Sequence, residues 1–283
     1  MSPARTLVLT ALAMTAFAGN SLLCRLALKN TGIDAASFTA IRLISGALAL
    51  WLVTRQFRST RSGKGNWLSA LALFAYAAAF SFAYMSLPTG TGALLLFGAV
   101  QATMIGYGIW SGERLRSLQL IGLALALGGL SGLLLPGVSA PPLGGSALMI
   151  SAGIAWGIYS LRGKGAGDPT RVTAGNFLRA APVAIALSFC IFLVKGASLD
   201  AAGFWYAVAS GAVTSGIGYA IWYTALPALK ATTAATVQLS VPVIAALGGI
   251  ALLGEPVTLR LVLASSAILG GIALVVLQKR PGP

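Results

Sequence analysis

The chain has 283 residues, of which 57% are hydrophobic and only 8% are charged, and its mean hydropathy is +0.88. Because soluble domains carry about 25% charged residues, this composition excludes an ordinary soluble fold. The net charge of +14 does not indicate nucleic-acid binding, since no stretch gathers the basic residues on one water-facing module. The apolar runs are continuous and do not alternate at every second residue. They therefore exclude a strand barrel and predict an all-α polytopic membrane protein.

Ten apolar segments follow one another along the chain, and each has about the 20 residues that a helix needs to cross a bilayer. They cover residues 7–27, 36–54, 67–87, 89–110, 117–135, 144–161, 172–194, 203–226, 232–252 and 257–277. Short connectors rich in Gly, Pro, Ser and charged residues separate them. The first segment resembles a cleaved signal peptide up to Ala18, but it continues to Ala27, so we expect it to be retained.

Lysine and arginine are distributed unequally between the two ends of these segments. With the N-terminus in the cytoplasm, thirteen of the nineteen lie on the cytoplasmic side, three lie outside and three lie within helices. The three within helices are Arg25, Arg42 and Arg179. Since cytoplasmic loops carry an excess of Lys and Arg, this distribution predicts a multi-pass protein of the bacterial inner membrane with both termini in the cytoplasm.

The two halves of the chain share landmarks in the same order. The motifs that begin at Arg42, Tyr84 and Gly112 return 137, 139 and 142 residues later. This recurrence predicts two five-helix repeats, residues 1–138 and 139–283. Because five is an odd number, the second repeat must enter the membrane upside down relative to the first. Inverted repeats of this kind are typical of secondary transporters.

Several of these landmarks carry a family resemblance. They are the second-span arginines Arg42 and Arg179, the Gly-Glu turns at 112–113 and 254–255, Trp156-Gly157, and the Ser-Val-Pro-Val stretch at 240–243. The chain resembles the EamA-type members of the drug/metabolite transporter superfamily, and among them the aromatic amino-acid exporters of the YddG type. The resemblance implies ten helices, an inner-membrane location and export of metabolites such as amino acids. It also implies that the first, third and fourth helices of each half line a central path, with the fifth at the periphery.

Aromatic residues recur on one face of the third span and return in the eighth. Tyr76, Phe80 and Tyr84 are spaced by four residues, so they share a helix face. Tyr219 and Tyr223 follow Phe80 and Tyr84 by 139 residues. Facing inward, these residues form an aromatic wall on both sides of the path and bind substrate. The alternative is that they pack between helices or anchor helix ends in the interfacial aromatic belt.

Three amide side chains, Asn20, Gln101 and Gln238, lie deep in apolar runs. An unsatisfied amide is costly in lipid, so each must face protein, water or substrate. Trp156 and Tyr159 share a face of the sixth span. For these five residues two roles stay open, helix–helix packing and lining of a substrate cavity, and we include them among the expected substrate-binding residues.

Other positions are expected to be structural or to take part in gating. Glu113 and Glu255 are each predicted to stabilise the start of the helix that follows, where a carboxylate meets exposed amides. Pro242 is predicted to kink the ninth span and to leave carbonyl groups without their helical partners. Gly128 and Gly132, four residues apart, are expected to let helices approach closely.

Arg42 and Arg179 form a separate case, because they are charged residues inside spans. Each lies some six to eight residues inside its helix, close enough to an interface to snorkel or to bind carbonyl groups. Their duplicated positions near opposite faces favour packing or gate stabilisation over direct substrate binding.

Acidic residues are few, and none is central. The five are Asp34, Glu113, Asp168, Asp200 and Glu255, all in connectors or at helix ends, and the chain has no histidine. Proton relays, intramembrane proteases and metal-dependent lipid enzymes need such groups within the membrane. We therefore expect no enzymatic activity, no metal or other cofactor, and no obligatory proton coupling.

Together these observations predict a transporter that exports a small zwitterionic or neutral metabolite across the bilayer by alternating access. The first candidates are amino acids with large apolar or aromatic side chains. With no charge expected at the centre, neutral amides and carbonyls would meet the charged groups of the substrate. The alternatives are an integral-membrane enzyme acting on lipid-linked substrates and a structural membrane subunit.

Overall fold

The computed structural model describes residues 1–56, 63–112, 115–137, 140–163, 167–229 and 237–277. Within these ranges the chain forms helices and no strand, which confirms the predicted all-α membrane fold. The helices are α1 (Pro3–Asn30), α2 (Ala35–Gln56), α3 (Trp67–Tyr84), α4 (Thr89–Trp110), α5 (Ser117–Leu134), α6 (Leu143–Gly163), α7 (Pro169–Lys195), α8 (Ala201–Val208, continued by a π-helical segment at Ala209–Ile217 and by Gly218–Ala225), α9 (Ser240–Leu253) and α10 (Leu259–Leu277). Each predicted span coincides with one helix, although residues 232–236 of the predicted ninth span lie outside the described residues.

The lengths and surfaces of the helices suit a lipid bilayer. α1 to α7 each have the length and hydropathy of a membrane span. Large apolar side chains cover the outward faces of the bundle, for example Leu48, Trp51, Leu178, Leu193 and Val262. Such exposure costs little where the neighbour is hydrocarbon rather than water, because lipid tails are as apolar as leucine.

Three of the acidic residues begin helices at the bundle surface. Asp34 accepts hydrogen bonds from the backbone N–H groups of residues 36 and 37 at the start of α2. Asp168 caps α7 in the same way, and Asp200 caps α8. Each carboxylate satisfies amides that have no partner within the helix. The sequence prediction that these acids lie at helix ends is therefore confirmed for the three.

Helices of the first half pack on their counterparts in the second half. α2 packs on α7, α4 on α9 and α5 on α10. In addition, α3 packs on α6, and the corresponding pair with the halves exchanged, α8 and α1, is also in contact. A pseudo-twofold axis between the predicted repeats, residues 1–138 and 139–283, would produce this set of contacts. The packing supports the inverted repeat, which stays a prediction.

Glycines bring α5 and α10 into close contact, although not those expected from the sequence. A Cβ atom at Gly122 would lie 2.6 Å from the Gly271 carbonyl oxygen, and one at Gly129 would lie 2.8 Å from the Cβ of Ala267. By contrast, nothing lies within 4 Å of a Cβ atom at Gly128 or Gly132. The expectation of close packing at those two positions is wrong, because they lie on faces of α5 that point away from α10.

Adjacent glycines of α10 give a direct test of this packing. We expect Gly271→Ala to lower the free energy of unfolding by about 1–3 kcal/mol, since its methyl group would meet the Gly122 carbonyl oxygen. Gly270→Ala places its methyl group in open space and should be neutral or stabilising by up to about 1 kcal/mol, because alanine favours helix. Thermal unfolding in detergent measures both. Equal effects of the two substitutions would contradict the packing.

Candidate functional site

A cavity of about 500 Å³, called the central cavity below, lies among α1, α3, α4, α6, α7 and α8. Its inner part is lined by residues from the middle of the helices, including Asn20, Phe97 and Thr214. Further lining residues, 163, 169 and 226, lie where α6 and α8 end and α7 begins, and we call this end of the cavity its mouth. The cavity therefore runs from the middle of the bundle towards one face, the face that carries the basic connectors.

Nine of the ten residues expected to bind substrate line the central cavity. They are Asn20, Tyr76, Phe80, Gln101, Trp156, Tyr159, Tyr219, Tyr223 and Gln238. The tenth, Tyr84, is fully buried at the end of α3, and its hydroxyl donates to the carbonyl oxygen of Thr89 over 3.3 Å. Its ring packs edge-on against Phe80. The structure thus removes Tyr84 from the cavity wall, because the end of α3 turns it towards the start of α4.

Trp156 is the centre of an aromatic wall formed with Tyr76, Tyr159 and Tyr219. Its ring centroid lies 4.8 Å from that of Tyr76 and 5.3 Å from those of Tyr159 and Tyr219. The rings come from α3, α6 and α8, so both predicted aromatic helices contribute to one surface. Offset and tilted pairs at these separations are the favourable arrangements of aromatic rings.

Asn20 links three helices at the inner part of the cavity. Its amide nitrogen donates to the Tyr76 hydroxyl over 3.3 Å, and its carbonyl oxygen accepts from Ser210 Oγ at 2.7 Å and Thr214 Oγ1 at 3.4 Å. These bonds connect α1 to α3 and α8. The two roles left open for this residue, packing and cavity lining, therefore apply together.

The hydroxyl groups around Asn20 come from the π-helical segment of α8, which the sequence analysis did not anticipate. Ser210, Thr214 and Ser215 all lie within Ala209–Ile217. Gly211 allows this segment to lie against the backbone carbonyl of Arg42, leaving no room for a side chain. The signal available in the sequence was the run of small polar residues in an otherwise apolar span. π-helical turns occur frequently at functional sites.

Arg42 lies immediately behind the cavity wall and is only 1% exposed. Its Nη2 donates to the Tyr76 hydroxyl over 3.1 Å, and its Nε donates to Ser215 Oγ over 3.4 Å. The guanidinium carbon lies 4.9 Å from the centroid of the Phe80 ring and 5.2 Å from that of Tyr76. The expectation of a centre without charge is therefore wrong. Arg42 turns its side chain inward because α2 is packed between α7 and α8.

Arg179, in contrast to Arg42, binds backbone carbonyl groups. Its Nη1 donates to the carbonyl oxygens of Lys64 and Gly175 over 2.6 Å and 2.8 Å. This contact joins α7 to the connector before α3. The two arginines that recur in the sequence thus differ in position, since only Arg42 reaches the cavity wall.

Two further polar residues, missed in the sequence, lie on the cavity wall in α7. The Tyr159 hydroxyl donates to Thr173 Oγ1 and accepts from Asn176 Nδ2, both over 3.4 Å. Asn176 also accepts from the backbone N–H of Asn66 at 2.9 Å. An asparagine within the apolar seventh span was the signal available. It connects the cavity wall to the start of α3.

Comparison with known proteins identifies the chain. The EamA-like transporter family matches residues 143–277, which run from the first residue of α6 to the last of α10. Uncharacterized protein PA1977 of Pseudomonas aeruginosa strain PAO1 is 59% identical over 276 residues, covering 97% of this chain and 96% of its own. The chain belongs to the EamA-like transporter family. It is therefore a membrane transporter of small molecules and not an enzyme.

A solved structure shares the fold of this EamA-like transporter. The match, titled "Crystal structure of protein", has a TM-score of 0.66 and 19% sequence identity, and it covers 95% of this chain and 98% of that chain. At this level of identity the likeness concerns the fold alone. It supports the arrangement of helices around the central cavity over almost the whole length of the transporter.

On the side opposite the mouth, Glu255 closes the bundle of the transporter. Its carboxylate oxygens accept from the backbone N–H of Thr89 at 2.9 Å and 2.8 Å, and Oε1 also accepts from Thr89 Oγ1 at 3.1 Å. Arg25 Nε lies 3.5 Å from the same carboxylate. We call Arg25, Thr89 and Glu255 the outer network. Glu255 therefore caps α4 rather than the helix that follows it, which corrects the prediction, and Glu113 lies outside the described residues.

The sequence analysis gave Arg25 no role, yet this residue also binds the end of α3. Its Nη1 donates to the carbonyl oxygens of Tyr84 and Met85 over 2.8 Å and 3.1 Å. Both carbonyls are at the end of α3, where no helical partner is available. Arg25 thus joins α1 and α3 to α4 and to the α9–α10 turn of the transporter.

Pro242 lies near the start of α9 and is buried. A proline has no N–H group to bond the carbonyl four residues earlier, and the helical run is interrupted at Leu239. Gln238, on the cavity wall, lies directly before this interruption. The helical run is thus interrupted close to Pro242, whereas the kink of the ninth span and its use in gating stay predictions.

Proposed function

We propose that this transporter exports small zwitterionic or neutral metabolites, with amino acids that carry large apolar or aromatic side chains as the first candidates. The observation that supports this proposal is the composition of the central cavity, where aromatic rings surround a polar inner part. Its volume of about 500 Å³ lies within the range of small-molecule sites, roughly 300–1,000 Å³. The aromatic rings suit an apolar side chain, and the polar inner part suits the charged groups of an amino acid.

The charge of the connectors supports the proposed direction of transport. The mouth of the central cavity lies beside Lys64, Arg162 and Arg171, and basic loops mark the cytoplasmic side. On this basis the cavity opens towards the cytoplasm and the termini lie there too. Substrate loads from inside the cell, which suits an exporter of the inner membrane.

The opposite side supports alternating access. A second cavity of about 250 Å³ borders the outer network, since Glu255 lines it together with Thr91, Pro142 and others. Release of substrate to the outside requires the outer network to separate while the mouth closes. In secondary transporters with inverted repeats, one repeat rocks against the other around a fixed binding site. The packing of α2 on α7 and of α4 on α9, each a helix of one half on its counterpart in the other, agrees with such a motion.

Cysteine labelling tests the topology, and α6 offers a matched pair of sites. A Cβ atom at Gly144 or Gly163, at opposite ends of α6, meets nothing within 4 Å. In a variant without native cysteines, we expect Gly144→Cys to be labelled only from outside and Gly163→Cys only from the cytoplasm. Lys64→Cys, in the first half, should match Gly163→Cys. Labelling of Gly163→Cys and Lys64→Cys from opposite sides would contradict the inverted repeat.

Transport by purified protein in liposomes tests the function and its energetics together. No acidic residue lines the central cavity within the described ranges, and the sequence has no histidine. We therefore expect radiolabelled phenylalanine, tryptophan or leucine to equilibrate across the liposome membrane without a pH gradient, and aspartate or lysine to move much more slowly. Protein-free liposomes are the control. Accumulation against a gradient, driven by an imposed pH gradient alone, would contradict the uncoupled mechanism.

A further inference from the structure

We infer that the inner part of the central cavity, where the hydroxyl of Tyr76 is bound by both Arg42 and Asn20, is a binding site for a carboxylate group of the substrate. The inference rests on the proposed function and makes it more specific. It names the group of the substrate that lies in the inner part of the cavity and the residue that binds it.

Arg42 carries a positive charge and forms no ion pair among the described residues. Ion pairs among the described residues join Arg25 to Glu255 and Arg171 to Asp168, and neither includes Arg42. A guanidinium does not lose its proton in a protein, so a full positive charge lies behind the cavity wall. Its Nη1 is buried and has no hydrogen-bond partner among the described residues. A buried charge without a counter-charge is costly, and an anion in the cavity would offset that cost.

The hydroxyl of Tyr76 can donate a hydrogen bond to a ligand. A phenolic oxygen has two lone pairs and one proton. Both lone pairs of Tyr76 are occupied, since Arg42 Nη2 donates over 3.1 Å and Asn20 Nδ2 over 3.3 Å. The orientation of the Asn20 amide is fixed, because its oxygen accepts from Ser210 and Thr214. In the described part of the chain the hydroxyl proton has no acceptor, and Tyr76 lines the cavity.

A carboxylate is the ligand group that suits these residues. Tyr76 offers a donor that is polarised by the cation behind it, and hydrogen bonds between such donors and carboxylates are among the strong ones in proteins. An ammonium group at the same place would face both a donor and a like charge. The carboxylate therefore occupies the inner part of the cavity, and the substrate side chain lies beside Trp156, whose ring is 4.8 Å from that of Tyr76.

Binding of four related compounds to the purified full-length protein tests this assignment. They are L-phenylalanine, L-phenylalaninamide, 2-phenylethylamine and 3-phenylpropionate. For the wild-type protein we expect the two carboxylates to bind about ten- to hundredfold more tightly than the amide and the amine, the range typical of one hydrogen bond to a charged group. Tyr76→Phe keeps the ring and removes the donor, and it should abolish this preference while changing the affinity for the amine little.

Two variants serve as controls. Tyr219→Phe removes a hydroxyl from the same cavity, but Tyr219 is not hydrogen-bonded to Arg42 within the described residues, so it should change the affinities for acid and amide by the same factor. Arg42→Lys keeps the charge without the bond geometry and should keep part of the preference. Correct folding of each variant is checked by its gel-filtration profile and unfolding temperature.

The results separate this inference from the proposed function. If phenylalanine and its amide bind equally well, amino acids are substrates but the carboxylate site is wrong. If only 3-phenylpropionate binds, and Tyr76→Phe weakens it, the carboxylate site is correct and amino-acid export is wrong. Equal binding by wild type and Tyr76→Phe overturns the inference, as does the absence of binding by both carboxylates.

Discussion

Replacing Trp156 with alanine is expected to reduce transport of aromatic amino acids by about tenfold or more. The Trp156 ring contacts three other rings of the cavity wall, and each aromatic pair contributes about 0.5–1.5 kcal/mol beyond burial. A loss of about 1.4 kcal/mol corresponds to a factor of ten. Initial rates of efflux from loaded liposomes measure the effect.

Two comparisons show whether the loss belongs to the cavity. Trp156→Phe keeps a ring and should retain much of the transport, whereas Trp110→Ala removes a tryptophan that is 85% exposed at the end of α4 and should leave transport unchanged. If Trp156→Ala transports at the wild-type rate but unfolds at a lower temperature, the aromatic wall is packing. The proposed preference for aromatic side chains would then have no basis.

Glu255→Ala is expected to open the outer side of the transporter. Removal of the carboxylate leaves the N–H and hydroxyl of Thr89 without their acceptor and Arg25 without its ion pair. Breaking a buried pair of this kind costs about 3–5 kcal/mol, which shifts a two-state equilibrium by roughly a hundred- to several-thousandfold. The inward-facing conformation should therefore lose its advantage.

Accessibility of single cysteines measures this shift. In the Glu255→Ala background, Thr91→Cys, in the second cavity, should be labelled faster from outside, and Ser160→Cys, in the central cavity, more slowly from the cytoplasm. Arg171→Gln breaks a surface ion pair with Asp168 instead, worth about 1 kcal/mol or less, and serves as control. Unchanged labelling at Thr91→Cys together with a lower unfolding temperature would show that the outer network only stabilises the fold.

Much of the architecture could be predicted because it depends on local properties of the sequence. The spans follow from continuous apolar runs of bilayer length, so the predicted segment 89–110 coincides with α4 (Thr89–Trp110). The four-residue spacing of Tyr76 and Phe80 places them on one face, and that face lines the cavity. Neither result requires knowledge of which helix packs on which.

The predictions that differed from the structure depend on contacts between distant segments. Glu255 bonds an amide 166 residues away, which no local rule on helix starts contains. The depth of Arg42 depends on the packing of α2 between α7 and α8, and sequence position alone made it look close to an interface. The choice of Gly122 over Gly128 depends on how α5 is rotated against α10.

The π-helical segment also limits which changes of length α8 can accept. An α-helix turns about 100° for each residue and a π-helix turns less. Deleting one residue from Ala209–Ile217 therefore either rotates Gly218–Ala225 relative to Ala201–Val208, or converts the segment to α-helix and moves its hydroxyl groups. Either the hydroxyl of Ser210 would lose Asn20, or the rings of Tyr219 and Tyr223 would turn away from the cavity. A deletion in a lipid-facing span such as α5 has no such consequence for the cavity. Homologous chains should therefore keep the number of residues between Ser210 and Tyr219 constant, even where the residues themselves differ.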